Sequence, residues 1–202
     1  MAVGLTLLGI WGAARLHRSV ASHEALKAFK ANAGVKTSCE SPVDFTLWSP
    51  QRIAAYKDSL TAKRDLPLAI LRIPKINLEV PVFDDTDDLT LNRGVGRIVG
   101  TARIGEPGNV GIAGHRDGFF RGLKDVARED YVELASPGRT DEYVITGIQI
   151  VSPEDVHVLD ATTVPTLTLV TCYPFYFVGS APQRYVVTAT IKISDQTDVS
   201  VR

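Results

Sequence analysis

From Leu66 onward the chain runs in short apolar stretches broken by Gly, Pro, Asn and Asp. Within the stretches, apolar and polar positions tend to alternate, the period of a strand with one buried face. Eight strands are predicted: Leu68–Ile73, Leu78–Phe83, Gly94–Val99, Asn109–Ala113, Tyr131–Leu134, Glu142–Ile150, Thr166–Cys172 and Arg184–Ile193. Many short strands at this spacing predict a barrel or sandwich. Phe119–Val126 reads as a helical turn or two, and Pro153–Leu159 as a loop with a possible short helix. The acidic cluster Asp84–Asp88 lacks the spacing of a calcium loop and reads as a solvated turn capping a short helix at Leu89.

The first part of the chain has a different texture. Met1–Ala14 carries no charged side chain, and Arg15 and Arg18 follow. A helix of that length covers about 21 Å, short of the roughly 30 Å of a bilayer core. A membrane anchor over residues 1–16 is the favoured reading. A cleaved signal peptide ending near Gly12 and Ala14, or an ordinary buried helix, are the alternatives. Counting positive charges alone would leave the rest of the chain on the cytoplasmic side. Residues 17–65 contain helix-like stretches at Ser19–Ala33 and Gln51–Ala62 and read either as a stalk or as a cover packed on the domain. The barrel is expected over residues 66–194, with a polar tail over 195–202.

Composition narrows the function. The 202 residues carry 22 Lys and Arg against 23 Asp and Glu, without a basic run. A nucleic-acid partner has no support in that balance. Neither a C-x-x-C pair nor a His/Cys cluster points to zinc, and no cofactor is implied. The two cysteines lie in unlike surroundings, Cys39 in a polar loop and Cys172 at the close of an apolar strand. A bridge between them would tie an irregular segment to a strand end and is disfavoured.

Three short segments could carry chemistry. Gly111-Ile112-Ala113-Gly114-His115-Arg116-Asp117 sets a histidine at a strand end. Thr168-Leu169-Val170-Thr171-Cys172-Tyr173-Pro174 places a thiol at the last strand position. Ala181-Pro182-Gln183-Arg184-Tyr185-Val186-Val187 opens the final strand with an arginine. Taken singly, each has an ordinary reading: a surface histidine, a small core cysteine, a solvated arginine. Together they could supply a nucleophile, its base and an oxyanion donor. If Cys172 ends one strand and Arg184 begins its antiparallel neighbour, the two share one end of the sheet. His157 is a rival base without a motif around it. Asp117 could orient His115, but capping the Phe119 helix is favoured. Thr171 could touch substrate, although in a regular strand its side chain points away from that of Cys172. The loop Tyr173, Phe175, Tyr176 and Phe177 could grip an extended peptide or cover the barrel end.

These segments, with Ala69-Ile70-Leu71-Arg72-Ile73-Pro74-Lys75-Ile76, Gly94-Val95-Gly96 and Gly108-Asn109, resemble the sortases, cysteine transpeptidases of bacterial cell surfaces. The Thr-Cys-Tyr-Pro-Phe and Ala-Pro-Gln-Arg-Tyr wording looks most like class D and its Gram-negative relatives. The resemblance implies a mainly β fold: an eight-stranded sortase-type β-barrel with short helices, behind an N-terminal helical anchor and stalk. It implies Cys172 as nucleophile, His115 as general acid and base, and Arg184 as holder of substrate and oxyanion, with Thr171, Tyr173 and Pro182 near the substrate. The expected reaction cuts a Leu-Pro-x-Thr-Gly-like sorting signal through a thioacyl-enzyme and passes the acyl group to an amine. The implied partners are surface proteins bearing a C-terminal sorting signal, an amine acceptor of the cell envelope and the membrane. The catalytic domain would face the extracytoplasmic side. A mainly hydrolytic or catalytically idle surface barrel is the alternative.

Overall fold

A computed structural model of the protein describes residues 43–60, 66–177 and 179–192. The candidate anchor, the helix-like stretch at Ser19–Ala33, Cys39 and the polar tail lie outside the described residues. The strands are β1 (Ala69–Ile73), β2 (Leu78–Phe83), β3 (Val95–Arg97), β4 (Asn109–Gly114), β5 (Tyr131–Ser136), β6 (Arg139–Val151), β7 (Thr166–Tyr173) and β8 (Gln183–Ile191). They close into a barrel in the order β1-β2-β3-β4-β7-β8-β6-β5, with β5 returning to β1. Closure leaves no open sheet edge among the described residues.

Local chemistry explains the elements. β1 and β2 are joined through a 3-10 turn at Pro74–Ile76, ended by Asn77 at φ 50, the left-handed region asparagine tolerates. β5 and β6 meet at Pro137-Gly138, where Gly138 takes φ 76. β2 and β3 run parallel, so a crossover is needed. It contains helix α2 (Asp88–Arg93), capped by Asp87, whose carboxylate accepts from the Thr90 amide at 3.0 Å and the Thr90 hydroxyl at 2.8 Å. The acidic cluster thus caps a helix, as its spacing predicted.

Along β7 the alternation holds: Leu167 and Leu169 lie in the core with Leu71, Ile73, Val80, Ile112, Phe120 and Ile145, while Thr168, Val170 and Cys172 take the opposite face. Two strands depart from expectation. β3 stops at Arg97, because the chain turns at Ile98–Thr101, with Gly100 at φ 91. β6 extends to Val151, bending through a register shift between Ile145 and Gly147 so that it follows β8 as far as Arg184.

Helix α1 (Pro50–Ser59) begins at Ser49, whose hydroxyl accepts from the Arg52 amide, with Pro50 preset for the first turn. Tyr56 is 4% exposed and belongs to the core. Phe45, Trp48, Tyr56 and Phe119 form edge-to-face pairs with centroids 4.6 to 5.9 Å apart. Each such pair adds about 0.5–1.5 kcal/mol beyond area burial. Residues 43–60 therefore lie packed on the barrel.

Candidate active site

The parallel pair β4–β7 creates the site. Gly114 is the register partner of Thr171, and the Thr171 hydroxyl donates to the Gly114 carbonyl at 2.7 Å. The next residues on these adjacent strands are His115 and Cys172. Across β7, Cys172 lies directly opposite Arg184 on β8. Opposed residues of a strand pair project from the same face. Three neighbouring strands thus bring His115, Cys172 and Arg184 to one end of the barrel, with Cys172 and Arg184 on one face, although 57 residues separate Gly114 from Thr171.

Glycine at 114 is a packing requirement. A Cβ there would lie 2.7 Å from the Phe120 ring and 3.0 Å from Val95. Only a bare backbone lets the strand end approach this buried ring.

Cys172 is a free, half-buried thiol. His115 is pushed down to about 4, chiefly by burial and then by the nearby Arg52 charge, against the pull of Asp117 and Asp88. It is a neutral imidazole at pH 7. Its Nε2 is buried without a hydrogen-bond partner, which is unusual for a buried polar atom. The His115 carbonyl accepts from the amides of Gly118 at 3.2 Å and Phe120 at 3.3 Å, which fixes the turn. Arg184 Nη1 donates to the carbonyls of Ala181 at 3.3 Å and Gln183 at 3.1 Å. A guanidinium has five N–H donors, so capacity remains for an acyl oxygen.

Thr171 is 2% exposed, with its hydroxyl on Gly114, and it faces away from Cys172 as alternation requires. Tyr173 is half-buried, stacked on Tyr185 at 6.1 Å and edge-on to Phe175 at 5.8 Å. Pro182 is exposed on the loop leading to Arg184. His157 is not brought to the site. Its side chain is 66% exposed, and its turn is moored by Asn109 Nδ2, which donates to the carbonyls of Val158 and Asp160 at 3.1 Å. Asn109 pairs with Thr166 at the far end of β7, about 20 Å along the strand from Cys172.

Asp117 does not cap the Phe119 turn, which corrects the favoured expectation. Gly118 holds the cap position, without a side-chain cap bond. The carboxylate instead accepts from Ser49 Oγ at 2.9 Å and Arg52 Nε at 3.1 Å. Burial pushes it up, but these bonds and the Arg52 charge outweigh that and hold it below its ordinary value. A long-range ion pair wins over the local cap.

Sequence reading also missed Arg116 and Arg121, which grip the loop after Cys172. Arg116 donates to the carbonyls of Pro174 at 3.2 Å and Gly179 at 2.7 Å, and lies over Phe177. Arg121 donates to the Phe175 carbonyl at 3.0 Å and lies 4.5 Å from the Tyr176 ring centroid. An aromatic run across from two arginines was the available signal.

Comparison with known proteins fits this geometry. The sortase domain family matches residues 71–192, a span that includes His115, Cys172 and Arg184. The chain belongs to the sortase family. Sortases are cysteine transpeptidases, and this one is 30% identical to sortase D of Bacillus subtilis (strain 168) over 195 residues, 93% of this chain and 92% of that protein. Among solved structures, a sortase D5 transpeptidase from Clostridium perfringens matches with TM-score 0.63 at 24% identity, covering 86% of this chain and 99% of that one. Sortase C-1 from Actinomyces oris matches with TM-score 0.59 at 26% identity, covering 85% and 97%. The eight-stranded barrel is the sortase fold.

Proposed function

We propose that this sortase cleaves a Leu-Pro-x-Thr-Gly-like signal on surface proteins with Cys172 as nucleophile, His115 as general acid and base, and Arg184 as oxyanion donor. The observation that carries this reading is the strand register, with Cys172 opposite Arg184 and one step beyond the Thr171–Gly114 pair that leads to His115.

The neutral His115 can take the Cys172 thiol proton as sulfur attacks the scissile carbonyl. The C–S bond forms while the carbonyl π electrons move onto oxygen, to which the Arg184 guanidinium, opposite Cys172, would donate. Collapse breaks the C–N bond, and the imidazolium returns the proton to the leaving amine. A thioacyl-enzyme remains. An incoming amine then gives up a proton to His115, attacks the thioester and releases the Cys172 thiolate, which is reprotonated. The unpartnered Nε2 of His115 suits a nitrogen that carries protons between substrate groups. Tyr173 and Pro182 flank the site and are candidates for substrate contact. Thr171 would act through the backbone it braces.

Sortases are in general membrane-associated enzymes of the cell surface. Among the described residues no helix is long and apolar enough to cross a membrane. The apolar sequence of residues 1–16 makes them the candidate anchor, with the barrel on the outer side.

The test is mass spectrometry of the protein incubated with Leu-Pro-x-Thr-Gly-like peptides and a simple amine. A thioacyl adduct on Cys172 with amine-ligated product is expected. Adduct with hydrolysed product alone would make the enzyme a peptidase. No adduct with any peptide, on folded and reduced protein, would overturn the reading.

A further inference from the structure

The segment preceding the barrel reaches the loop that carries His115. The Ser49 hydroxyl and Arg52 Nε take the two carboxylate oxygens of Asp117, at 2.9 and 3.1 Å, and the Ser49 amide donates to the Asp117 carbonyl at 3.4 Å. Arg52 Nη1 donates to Asn92 Oδ1 on α2. One arginine thereby joins α1, α2 and the histidine loop. The Arg52 stem also lies over Gly118: a Cβ there would stand 3.3 Å from Arg52 Cγ and 3.6 Å from His115 Cβ. The Arg52 and Asp117 side chains are 20% and 28% exposed, so the pair is screened less than a surface ion pair. The aromatic cluster of Trp48, Tyr56 and Phe119 already docks α1. The polar clasp is concentrated on the loop two residues from His115.

We propose that Arg52 and Ser49 are positioning residues for His115, holding its loop through Asp117 so that the imidazole stays aimed at Cys172. This rests on His115 as the proton-carrying group of the reading above. The charges facing His115 are Arg52 from α1, Asp117 from its own loop and Asp88 from α2, with Cys172 and Arg184 on the adjoining strands. Arg52 opposes protonation of His115, while Asp117 and Asp88 favour it. Through charge alone, removing Arg52 and removing Asp117 would move the imidazole in opposite directions, while loosening the clasp at either residue adds a rise, because burial is the largest cause of its low value.

The experiment uses the full chain with ring-labelled histidine, the His115 signal being assigned by its loss in His115→Gln. Its titration midpoint is followed by NMR, and kcat and KM for peptide cleavage are measured separately. In Arg52→Gln the midpoint should rise from about 4 towards the ordinary 6.5. Its kcat should fall about tenfold while KM changes less than about twofold, because displacement of a proton-transfer group costs rate rather than binding. Asp117→Asn, which weakens the same clasp, should lower kcat in the same way with KM little changed. Arg52→Lys, which keeps the charge, should keep the midpoint near the wild-type value and remains informative if Arg52→Gln fails to fold. An unchanged kcat in Arg52→Gln, or a loss carried by KM instead of kcat, would overturn the proposal. Wild-type turnover in His115→Gln would instead overturn the acid–base reading, whatever Arg52 does to the midpoint.

Discussion

Gly114→Ala should damage the enzyme at the strand end that leads to His115. The added methyl would sit 2.7 and 2.8 Å from two Phe120 ring atoms and 3.0 Å from a Val95 methyl. Comfortable carbon contacts are about 3.5–4.0 Å, so something must yield by up to about 1 Å. Phe120 and Val95 are both fully buried, and the Phe120 amide is bonded to the His115 carbonyl. Overpacking of this kind costs about 1–3 kcal/mol, and two immobile neighbours argue for the upper half. For a chain of this size that lowers Tm by roughly 4–10 °C. The strand end is the part free to move, so turnover should fall about tenfold or more. Thermal melts and peptide turnover on the same preparations measure both effects. The cause is isolated by Phe120→Leu, which destabilises by itself but should relieve part of the Gly114→Ala cost in the double variant, giving a coupling of about 1 kcal/mol or more. A Gly114→Ala protein within about 0.5 kcal/mol of wild type, or strict additivity with Phe120→Leu, would refute the reasoning.

Three further outcomes are expected. His115 titrates at about 4 when folded and near 6.5 when unfolded, so the unfolded chain takes up the proton first and stability drains away as pH falls from 6.5 towards 4. The gap corresponds to about 3 kcal/mol; denaturant melts at pH 7 and 4.5 should show most of that loss in wild type relative to His115→Gln, and equal pH dependence in the two would count against a buried neutral imidazole. Thr171→Val keeps the shape but leaves the buried Gly114 carbonyl short of a donor, at a cost of about 1–3 kcal/mol, whereas Thr171→Ser should keep most of the stability; a Val variant as stable as wild type would show that this bond does not brace the strand ends. Cys172→Ala should abolish turnover and Arg184→Ala should lower it by about 100-fold or more, both with near wild-type melting because these half-buried side chains lie off the core; an unchanged rate would remove the residue from the mechanism.

Much of the barrel was readable because apolar residues recur at every second position along strands such as β2 and β7. Leu167 and Leu169 between Thr168 and Val170, or Val80 and Val82 beside Glu79, mark the side that joins the core. The turns at Asn77 and Gly138 carry residues suited to left-handed backbone. The meeting of Cys172 and Arg184 was readable for a related reason, since they lie in strands consecutive along the chain. What was not readable is long-range. Asp117 has a plausible local role as a cap, and nothing near it announces Ser49 and Arg52, 68 and 65 residues away. The segment from 43 to 60 looks like either stalk or cover until Tyr56 is seen in the core. The early end of β3 comes from the turn at Ile98–Thr101, which Thr101 also ties to the Gly111 amide on a separate run.

The parallel pairing of β4 with β7 has a consequence for when the enzyme becomes reactive. Histidine and thiol meet only across a non-local contact, and the arginine joins only when β8 has docked between β6 and β7. Loop-closure entropy makes contacts of this kind slow to form. On the proposed mechanism, a nascent or partly unfolded chain carries Cys172 with neither its base nor its cation beside it. Turnover would begin only when the ring of strands is sealed, so the onset of peptide cleavage during refolding would serve as a clock for the completion of folding.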